Sequence, residues 1–510
     1  MPALLGKLRS SFPPRSARAA DMAALAAGAV LPFAFAPFGL FPLAYLAPAV
    51  LFLLWLEGSA ARAAWRGFLF GLGMFGVGVS WVYVSLHNYG HMPVPLAGLA
   101  TFLFVAGLAL YPALLGWLQA RLFERVRPFH LLLTLPALWT LFEWWRGWFL
   151  TGFPWLNLGY SQSEVAPVGY ASWLGVYGVS LACALVAGLL ARSWRAPEKF
   201  LRRYLPALLA IFVGGGLAGR VEWTEPVGAP IEAALVQGNV PLALKWQPVY
   251  REPILERYRA LSARAPQARL VVWPEAAIPA RLDEVDPRYL TALQQEGATR
   301  GAEFLIGAVE GRGREYYNSV IVLGADVASY RKQHLVPFGE FLPFPGLFRR
   351  LLDSLQIPMS DFSQGAPDQP LLTAAGQKIG VSVCYEDAFG EEVIRQLPGA
   401  TLLVNVSEDA WFGDSFAPHQ RLQMARLRAL ETGRPMLRAA NTGPSAAIDH
   451  RGQVLARSPQ FEVFVLPVTV EPRQGATPYI RFGNGLILVL LFGFIGASLS
   501  LVFIERRRAR

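Results

Sequence analysis

The sequence is poor in cysteine, histidine and charge. Its 510 residues include only two cysteines and six histidines. Two cysteines exclude a disulfide-stapled scaffold and a cysteine-rich metal cluster. Charged residues make up 16% of the chain and the mean hydropathy is +0.35, whereas soluble domains carry about 25% charged residues. These values argue against a purely cytosolic globular protein.

The histidines form no recognisable metal motif. The sequence has neither an HExxH pattern nor a ladder of cysteines and histidines. His87 and His91 have helical spacing, but Asn88, Gly90 and Pro93 accompany them, which favours a loop over a metal site. We predict no metal and no cofactor.

Apolar and aromatic residues are abundant. Hydrophobic residues make up 54% of the chain and aromatic residues 13%, which excludes a disordered protein. The net charge of +10 would suit a nucleic-acid-binding protein. However, the basic residues cluster beside apolar runs, which is the pattern of membrane topology. We therefore expect a membrane protein and no nucleic-acid partner.

Long apolar blocks fill most of the first 220 residues, and another lies near the C-terminus. Since a helix needs about 20 apolar residues to cross a bilayer, we predict about eight transmembrane helices. They lie at 21–39, 40–56, 67–86, 93–118, 129–142, 165–191, 204–219 and 482–504.

Lysine and arginine alternate between the loops that join these blocks. The loops at 57–66, 119–128 and 192–203 are rich in them, and the intervening loops have almost none. The positive-inside rule then places both termini in the cytoplasm and residues 221–480 outside it. A cleaved signal peptide ending at 34–36 is the alternative, but Pro37 and the long charged leader argue against it.

The chain is therefore predicted to have three parts: a membrane domain at 1–220, an extra-membrane domain at 221–480, and a C-terminal membrane helix with a basic tail at 481–510. In the middle part, β-rich runs alternate with helical patterns, which predicts an α/β domain whose helices cover its sheets. The β-rich runs are 231–236, 269–273, 303–309, 319–323, 378–383, 401–406 and 462–470, and the helical patterns are 251–264, 287–300 and 419–432.

Three chemically interesting residues follow predicted strands in this domain. Glu275 comes after Trp273 and Pro274, Lys332 after Arg331, and Cys384 after a β run. Taken singly, Glu275 and Lys332 would be interpreted as solvated surface residues. Cys384 alone would be interpreted as a small buried apolar residue, and this is our interpretation of Cys183.

Cys384 differs from Cys183 because it lies outside the membrane without a partner cysteine. Asp387 could cap a helix that begins near Ala388, and a nearby helix N-terminus favours the thiolate. The negative charges of Glu386 and Asp387 disfavour the thiolate, so a neighbouring cation would be needed to stabilise it. As a set, the three strand-end residues supply a nucleophile, a base and a cation for an oxyanion.

The order Glu275, Lys332, Cys384, at intervals of 57 and 52 residues, resembles the Glu-Lys-Cys triad of the carbon–nitrogen hydrolase (nitrilase) superfamily, whose fold is an αββα sandwich. With the membrane helices, the chain resembles the apolipoprotein N-acyltransferase family over nearly its whole length. The most specific stretches are 237–240, 273–275, 334–342, 384–386, 409–413 and 423–426. Glu408 departs from the pattern, since an asparagine is expected there.

This resemblance implies a ping-pong acyl transfer. Cys384 would take an acyl chain from a phospholipid, typically the sn-1 chain of phosphatidylethanolamine. It would pass the chain to the α-amine of an S-diacylglyceryl-cysteine at a lipoprotein N-terminus. Glu275 would act as the general base, and Lys332 with the Tyr385 N–H would hold the oxyanion. The resemblance also implies a monomer in the bacterial inner membrane, with its catalytic domain in the periplasm.

Supporting roles follow from the same resemblance for Glu340, Tyr385 and Glu386, and a substrate-binding role for Trp246. Moving an acyl chain through water costs about 0.8 kcal/mol per CH₂, so we expect an apolar path into the site. The aromatic runs at 338–348 and at 411–416, which begins with Trp411, are candidates for it.

Two other functions stay open. A membrane-tethered amidase of the nitrilase type would resolve its thioester with water and act on a small amide. A transporter with an accessory domain is the weaker alternative, because transporters carry ionisable residues within their spans, whereas the uncharged blocks have none.

Overall fold

The computed structural model describes residues 16–123, 129–325, 327–343, 346 and 361–508. The chain divides into two compact units. The helical unit comprises Met1–Val82, Pro95–Val221 and Phe482–Arg510, and the α/β unit comprises Tyr83–Val94 and Glu222–Arg481. The α/β unit thus takes in a segment, Tyr83–Val94, that the sequence pattern assigns to the membrane domain.

Helices make up nearly all of the regular structure in the first 220 residues. They are α1 (Ala17–Val30), α2 (Leu43–Trp55), α3 (Ala60–Gly78), α4 (Trp81–Val84), α5 (Val94–Leu122), α6 (Leu135–Arg146), α7 (Ala171–Arg195) and α8 (Leu205–Ala218). Serines begin two of them, because the Oγ of Ser16 and of Ser59 each accept a hydrogen bond from a free N–H of the first turn. The chain ends with α15 (Gly485–Arg508).

Fewer helices than predicted are long and apolar enough to cross a membrane. The described residues contain four such stretches, Ala17–Ala34, Val94–Leu122, Ala166–Arg195 and Pro197–Ala218, or five if Ala60–Gly78 and Trp81–Tyr89, bent by 51°, form one span. The number of eight is therefore not confirmed. Helix α2 has 13 residues and α6 has 12, well short of the roughly 20 that a bilayer requires.

Glycines allow α1 and α3 to pack closely. A Cβ atom at Gly28 would lie 2.0 Å from the Phe70 backbone oxygen, and one at Gly73 would lie 2.3 Å from that of Leu25. Only glycine fits such backbone contacts, and small residues at helix interfaces are typical of membrane proteins.

Buried Arg146 and Glu143 hold the segment of chain that follows α6. Arg146 donates to the carbonyl oxygen of Phe153 at 2.6 Å and to Asn157 Oδ1 at 2.6 Å. Glu143 Oε1 accepts hydrogen bonds from the N–H groups of Trp139 and Leu158, both at 2.9 Å. Arg146 is buried among backbone carbonyls.

In the residues that the structure describes, the α/β unit has two six-stranded sheets and one two-stranded ribbon. The strands are β1 (Thr224–Pro226), β2 (Ile231–Gln237), β3 (Leu270–Trp273), β4 (Glu303–Arg312), β5 (Glu315–Leu323), β6 (Val327–Arg331), β7 (Leu372–Ala374), β8 (Gln377–Val383), β9 (Leu402–Ser407), β10 (Met436–Ala440), β11 (Ala446–Ile448), β12 (Val454–Arg457), β13 (Phe464–Val470) and β14 (Arg473–Gly475). The sheet orders are β13-β2-β3-β4-β5-β6 and β12-β11-β10-β9-β8-β7, and β1 pairs with β14. Strands β2, β3 and β4 run parallel to one another, as do β8, β9 and β10.

Helices cover the outer faces of both large sheets. Those of the unit are α9 (Leu242–Lys245), α10 (Arg251–Ala263), α11 (Pro287–Arg300), α12 (Gly390–Val393), α13 (Ala417–Thr432) and α14 (Pro478–Phe482). Helices α10 and α11 share an apolar core with β2–β5, and α13 shares one with β9–β11. The inner faces of the sheets meet, with β10 against β2 and β8 against β5. The predicted sandwich of two sheets covered by helices is confirmed.

Candidate active site

The structure brings Glu275 and Lys332 together, although they follow β3 and β6, which β4 and β5 separate in the same sheet. Lys332 Nζ lies 3.9 Å from Glu275 Oε1 and 2.7 Å from Glu340 Oε2. All three side chains are buried. An ammonium between two carboxylates is therefore held away from bulk water, where its charge interacts most strongly with a reacting group.

Cys384 follows the parallel strand β8 and begins a 3₁₀ turn, Cys384–Ala388. Its φ of +53° lies in the left-handed region that non-glycine residues rarely adopt, a strain typical of functional sites. Two side chains hold the Cys384 carbonyl oxygen in this turn: Asn405 Nδ2 donates to it at 3.0 Å, and Arg421 Nη2 donates to it as well.

Asp387 does not cap a helix at Ala388, contrary to the sequence-based expectation. It lies within the 3₁₀ turn, and its carboxylate pairs with Arg421 at 2.9 Å and with Arg438 at 3.3 Å. Two buried guanidinium groups compete for this carboxylate more strongly than a local N–H does, because charged hydrogen bonds are the stronger ones.

Burial raises the pKa of the Cys384 thiol to about 12, and the charge of Glu275 adds to this effect. Arg421 and then Lys332 act in the opposite direction. The resting residue is therefore a thiol at neutral pH, and its attack on a carbonyl requires a base to take the proton. Glu275 is the carboxylate whose charge is most strongly felt by the sulfur.

Hydrogen bonds fix both oxygens of the Glu275 carboxylate. Asn318 Nδ2 donates to Oε1 at 2.7 Å, and the Glu408 backbone N–H donates to Oε2 at 2.7 Å. Asn318 Nδ2 also donates to Glu340 at 2.9 Å. Lys245 Nζ donates to the Glu275 carbonyl oxygen at 3.0 Å. The orientation of this carboxylate is thus set by rigid neighbours rather than by solvent.

Lys332 retains its positive charge in spite of its burial. Burial alone would lower its pKa, but the negative charges of Glu340 and Glu275 outweigh that effect and raise the pKa above its usual value. A permanent ammonium next to the sulfur is suited to hold a developing oxyanion.

Glu386 ties the chain at Lys332 to the Cys384 turn. Its carboxylate accepts hydrogen bonds from the backbone N–H groups of Val383 at 2.6 Å, Gln333 at 2.6 Å and His334 at 3.0 Å. Burial raises the pKa of this carboxyl to about 7, against the effect of these donors. Its position between the two segments fixes the distance between the cation and the nucleophile.

Comparisons with known proteins identify the family of the chain. The family model for the apolipoprotein N-acyltransferase N-terminal domain matches residues 27–189, and the carbon-nitrogen hydrolase model matches residues 232–478. The apolipoprotein N-acyltransferase of Methylococcus capsulatus is 45% identical over 96% of this chain and 97% of its own length. The apolipoprotein N-acyltransferase of Nitrosomonas europaea is 45% identical over 96% of this chain and 98% of its own length. That of Azotobacter vinelandii is 44% identical over 92% of this chain and 94% of its own length.

The chain belongs to the apolipoprotein N-acyltransferase family. It is an acyltransferase with a carbon–nitrogen hydrolase domain, and it is a membrane protein by its apolar helices and its relatives. The resemblance drawn from the sequence is confirmed at this level.

Glu408 stands where the family resemblance predicts an asparagine, and its buried partners explain how a glutamate is accommodated there. Glu408 is buried and lies 2.5 Å from Lys245 Nζ, and Asn441 Nδ2 donates to both of its oxygens at 3.0 Å. Burial raises the pKa of Glu408, and Lys245 opposes that rise. The glutamate thus forms a buried ion pair directly behind the Glu275 turn.

The predicted aromatic residues occupy different surroundings. Tyr385 packs edge-on against Phe389, with ring centroids 4.8 Å apart. Trp246 is 50% exposed and follows Lys245 directly. Trp411 is 43% exposed and its ring meets Tyr89 of the Tyr83–Val94 segment at 6.2 Å.

The aromatic run at 338–348 is only partly described. Phe338 is 47% exposed, with a φ of +62°, whereas 344–345 and 347–348 lie outside the described residues. Its role as an apolar path therefore stays a prediction. Among the residues that the structure describes, no group of three or more His, Cys, Asp or Glu side chains is arranged to hold a metal ion.

Sequence reasoning missed several residues that shape the site. Asn318 lies in β5, but Glu315 and Ser319 of the same strand are also polar, so the strand pattern does not single it out. Arg421 shares a helix face with the buried Ala425 and Arg428, although arginines on a helix are usually solvated. Lys245 gives no such signal, because its burial depends on Glu408 from a distant element.

Proposed function

We propose that this enzyme transfers an acyl chain from a phospholipid to a lipoprotein through a thioester on Cys384. The donor is phosphatidylethanolamine, attacked at its sn-1 ester. The acceptor is the α-amine of an N-terminal S-diacylglyceryl-cysteine. The observation that carries the proposal is the buried set in which Lys332 Nζ lies 3.9 Å from Glu275 and both charges act on the Cys384 sulfur.

In the first half-reaction, Glu275 accepts the thiol proton as sulfur attacks the ester carbonyl. Lys332 and the Tyr385 N–H hold the resulting oxyanion. The C–O bond of the ester then breaks, and Glu275 returns the proton to the departing lysophospholipid. In the second half-reaction, the amine attacks the thioester, the C–S bond breaks, and the amine proton passes through Glu275 to the sulfur.

The supporting residues keep this geometry. We assign Glu340 to the placement of Lys332, which it contacts at 2.7 Å. We assign Glu386 to the placement of the Cys384 turn. Trp246 and Trp411 present large exposed apolar surfaces, and we assign them to contacts with the substrate acyl chains, for which burial of aromatic surface is favourable.

The proposal also includes a location. We place the enzyme as a monomer in the bacterial inner membrane, with about eight spans, a membrane domain at 1–220, a periplasmic catalytic domain at 221–480 and a cytoplasmic tail after the last helix. Arginine and lysine counts in the loops support this orientation.

Labelling in spheroplasts tests the orientation. Both native cysteines are buried, so single cysteines introduced at the exposed positions Val249 and Glu198 would report accessibility. A membrane-impermeant maleimide should label Val249→Cys but not Glu198→Cys. Labelling of Glu198→Cys alone would reverse the topology.

Incubation with phosphatidylethanolamine alone tests the chemistry. Intact mass should show one acyl chain per enzyme, released by hydroxylamine and absent in Cys384→Ala. An adduct that persists in Cys384→Ala would show that another residue is the nucleophile. The alternative, an amidase for a small amide, predicts no reaction with phospholipid, or turnover to free fatty acid without an acceptor.

A further inference from the structure

Four charged side chains lie directly behind the Cys384 turn and are absent from the mechanism so far. Arg421 and Arg438 pair with Asp387 and Asp409, and all four side chains are completely buried. Two positive and two negative charges balance one another, which is the condition under which buried ions persist in a protein. One of the four, Arg421, also reaches the reacting atom.

Arg421 contacts Cys384 at two points. Its Nη1 lies 3.4 Å from the Cys384 Sγ, and its Nη2 donates to the carbonyl oxygen of the same residue. A rigid guanidinium that bridges the sulfur and the carbonyl of one residue restricts both its side-chain rotamer and its backbone. This restraint helps to hold the Cys384 backbone at a φ of +53°, a conformation that is otherwise unfavourable.

The two Nη groups of Arg421 also contact fixed acceptors, whereas its buried Nε has no hydrogen-bond partner among the described residues. Nη1 donates to Ser407 Oγ at 2.6 Å and lies 3.0 Å from Asp409 Oδ1, and Nη2 lies 2.9 Å from Asp387 Oδ1. The guanidinium therefore cannot rotate away from the sulfur when the charge of the sulfur changes. A preorganised cation of this kind requires no reorganisation at the moment of reaction.

We propose that Arg421 is a further catalytic residue, which stabilises the negative charge on the Cys384 sulfur in both half-reactions. This inference rests on the proposed thioester mechanism. When Glu275 removes the thiol proton, the electron pair left on sulfur faces the Arg421 N–H. When the amine later expels sulfur from the thioester, the C–S electron pair returns to the same position.

The division of labour between the two cations follows from their positions. Lys332 pairs with Glu340 and faces the carboxylates of the active site, and it serves the oxyanion on the substrate carbonyl. Arg421 reaches the sulfur from α13 and the buried charge cluster. Consistent with this, Arg421 lowers the pKa of the Cys384 thiol, and its effect exceeds that of Lys332.

Alkylation of Cys384 by iodoacetamide between pH 7 and pH 10, followed by peptide mass mapping, measures this effect. Loss of a neighbouring cation raises a pKa by about 1–3 units. A more basic thiolate is also more nucleophilic, with a Brønsted coefficient of about 0.45. Arg421→Gln should therefore be alkylated about 3- to 40-fold more slowly at a given pH. Arg421→Lys keeps the positive charge but loses the planar guanidinium. Its alkylation rate should therefore lie between those of the unmodified enzyme and Arg421→Gln.

Arg438→Lys is the matched control, because Arg438 is equally buried and binds the same two carboxylates. It should lower the melting temperature as Arg421→Lys does, but slow alkylation less. If Arg421→Gln does not fold, the alkylation rates of Arg421→Lys and Arg438→Lys test the proposal instead. Equal alkylation rates in Arg421→Lys and Arg438→Lys would overturn the proposal.

Single-turnover acylation separates this proposal from the one on which it rests. In Arg421→Gln the rate constant of acyl-enzyme formation should fall, whereas a purely structural role would lower only the amplitude. If the unmodified enzyme forms no acyl adduct, the thioester mechanism itself is wrong. If the enzyme forms the adduct and Arg421→Gln matches its rate constant, only the role of Arg421 is wrong.

Discussion

The buried pair of Lys245 and Glu408 allows a quantitative test of how the Glu275 turn is supported. The two side chains lie 2.5 Å apart with 1% and 5% of their surfaces exposed. The only other side chain described as donating to Glu408 is Asn441. Removing one member of such a pair leaves an uncompensated buried charge, which costs about 3–5 kcal/mol. Lys245→Met should therefore destabilise the protein by that amount.

The double variant distinguishes a lost pair from lost packing. In Lys245→Met combined with Glu408→Gln, no charge is left unpaired, and both side chains keep nearly their original size. Replacing both members of a buried pair is often close to neutral. The double variant should therefore recover most of the loss, which corresponds to an interaction energy of roughly 3 kcal/mol or more.

Thermal melts in detergent, followed by intrinsic fluorescence, would measure the effect. For a domain of this size, 1 kcal/mol corresponds to about 2–4 °C, so Lys245→Met should melt about 6–20 °C lower. Its deficit should shrink as the pH falls, because burial already raises the pKa of Glu408 and protonation then removes the unpaired charge. A deficit that is the same at pH 5 and pH 8, or a double variant as unstable as the sum of the single variants, would refute the reasoning.

Three further predictions concern the reaction itself. In Glu275→Gln, acylation should rise tenfold per pH unit between pH 7 and 9, because only preformed thiolate can react and burial, the larger cause, still raises the pKa of the Cys384 thiol. The unmodified enzyme should lack this dependence. Lys332→Arg should lose about 10²- to 10³-fold in acylation rate, the usual effect of losing an oxyanion donor, and near-normal turnover would remove Lys332 from that role. Gly307→Ala should lower activity, because the added Cβ would lie 2.6 Å from the Glu275 Cα. Gly311→Ala on the same strand should leave activity unchanged, because its Cβ would meet only the Arg281 side chain, at 3.2 Å.

The sequence predicted the longer strands and helices of the α/β unit well. The apolar runs at 231–236 and 378–383 became β2 and β8, and the helical pattern at 287–300 became α11 with Pro287 in its first turn. Strand β10 was missed, because Arg438 interrupts its apolar pattern. That arginine is buried only because Asp387 and Asp409 neutralise it from other elements, and such long-range pairing leaves no local signal.

The membrane region was harder to predict, because composition alone does not fix helix length. The apolar block at 40–56 contains a helix of only 13 residues, and the block at 129–142 divides into a π-helical turn and the short α6. At the candidate active site, the ends of predicted strands indicated Glu275, Lys332 and Cys384, whose catalytic roles stay predictions. Their supporting residues come from distant parts of the chain, so neither spacing nor periodicity could assemble them.

Transfer from a preformed acyl-enzyme tests the central claim most directly. Enzyme loaded with an isotope-labelled acyl chain on Cys384 would be freed of phospholipid and mixed with a peptide that begins with S-diacylglyceryl-cysteine. The labelled chain should leave the enzyme and reach the peptide α-amine in equal amounts, and an N-acetylated peptide should receive none. Release of the label as free fatty acid, or an acylated peptide while Cys384 keeps its label, would contradict the account.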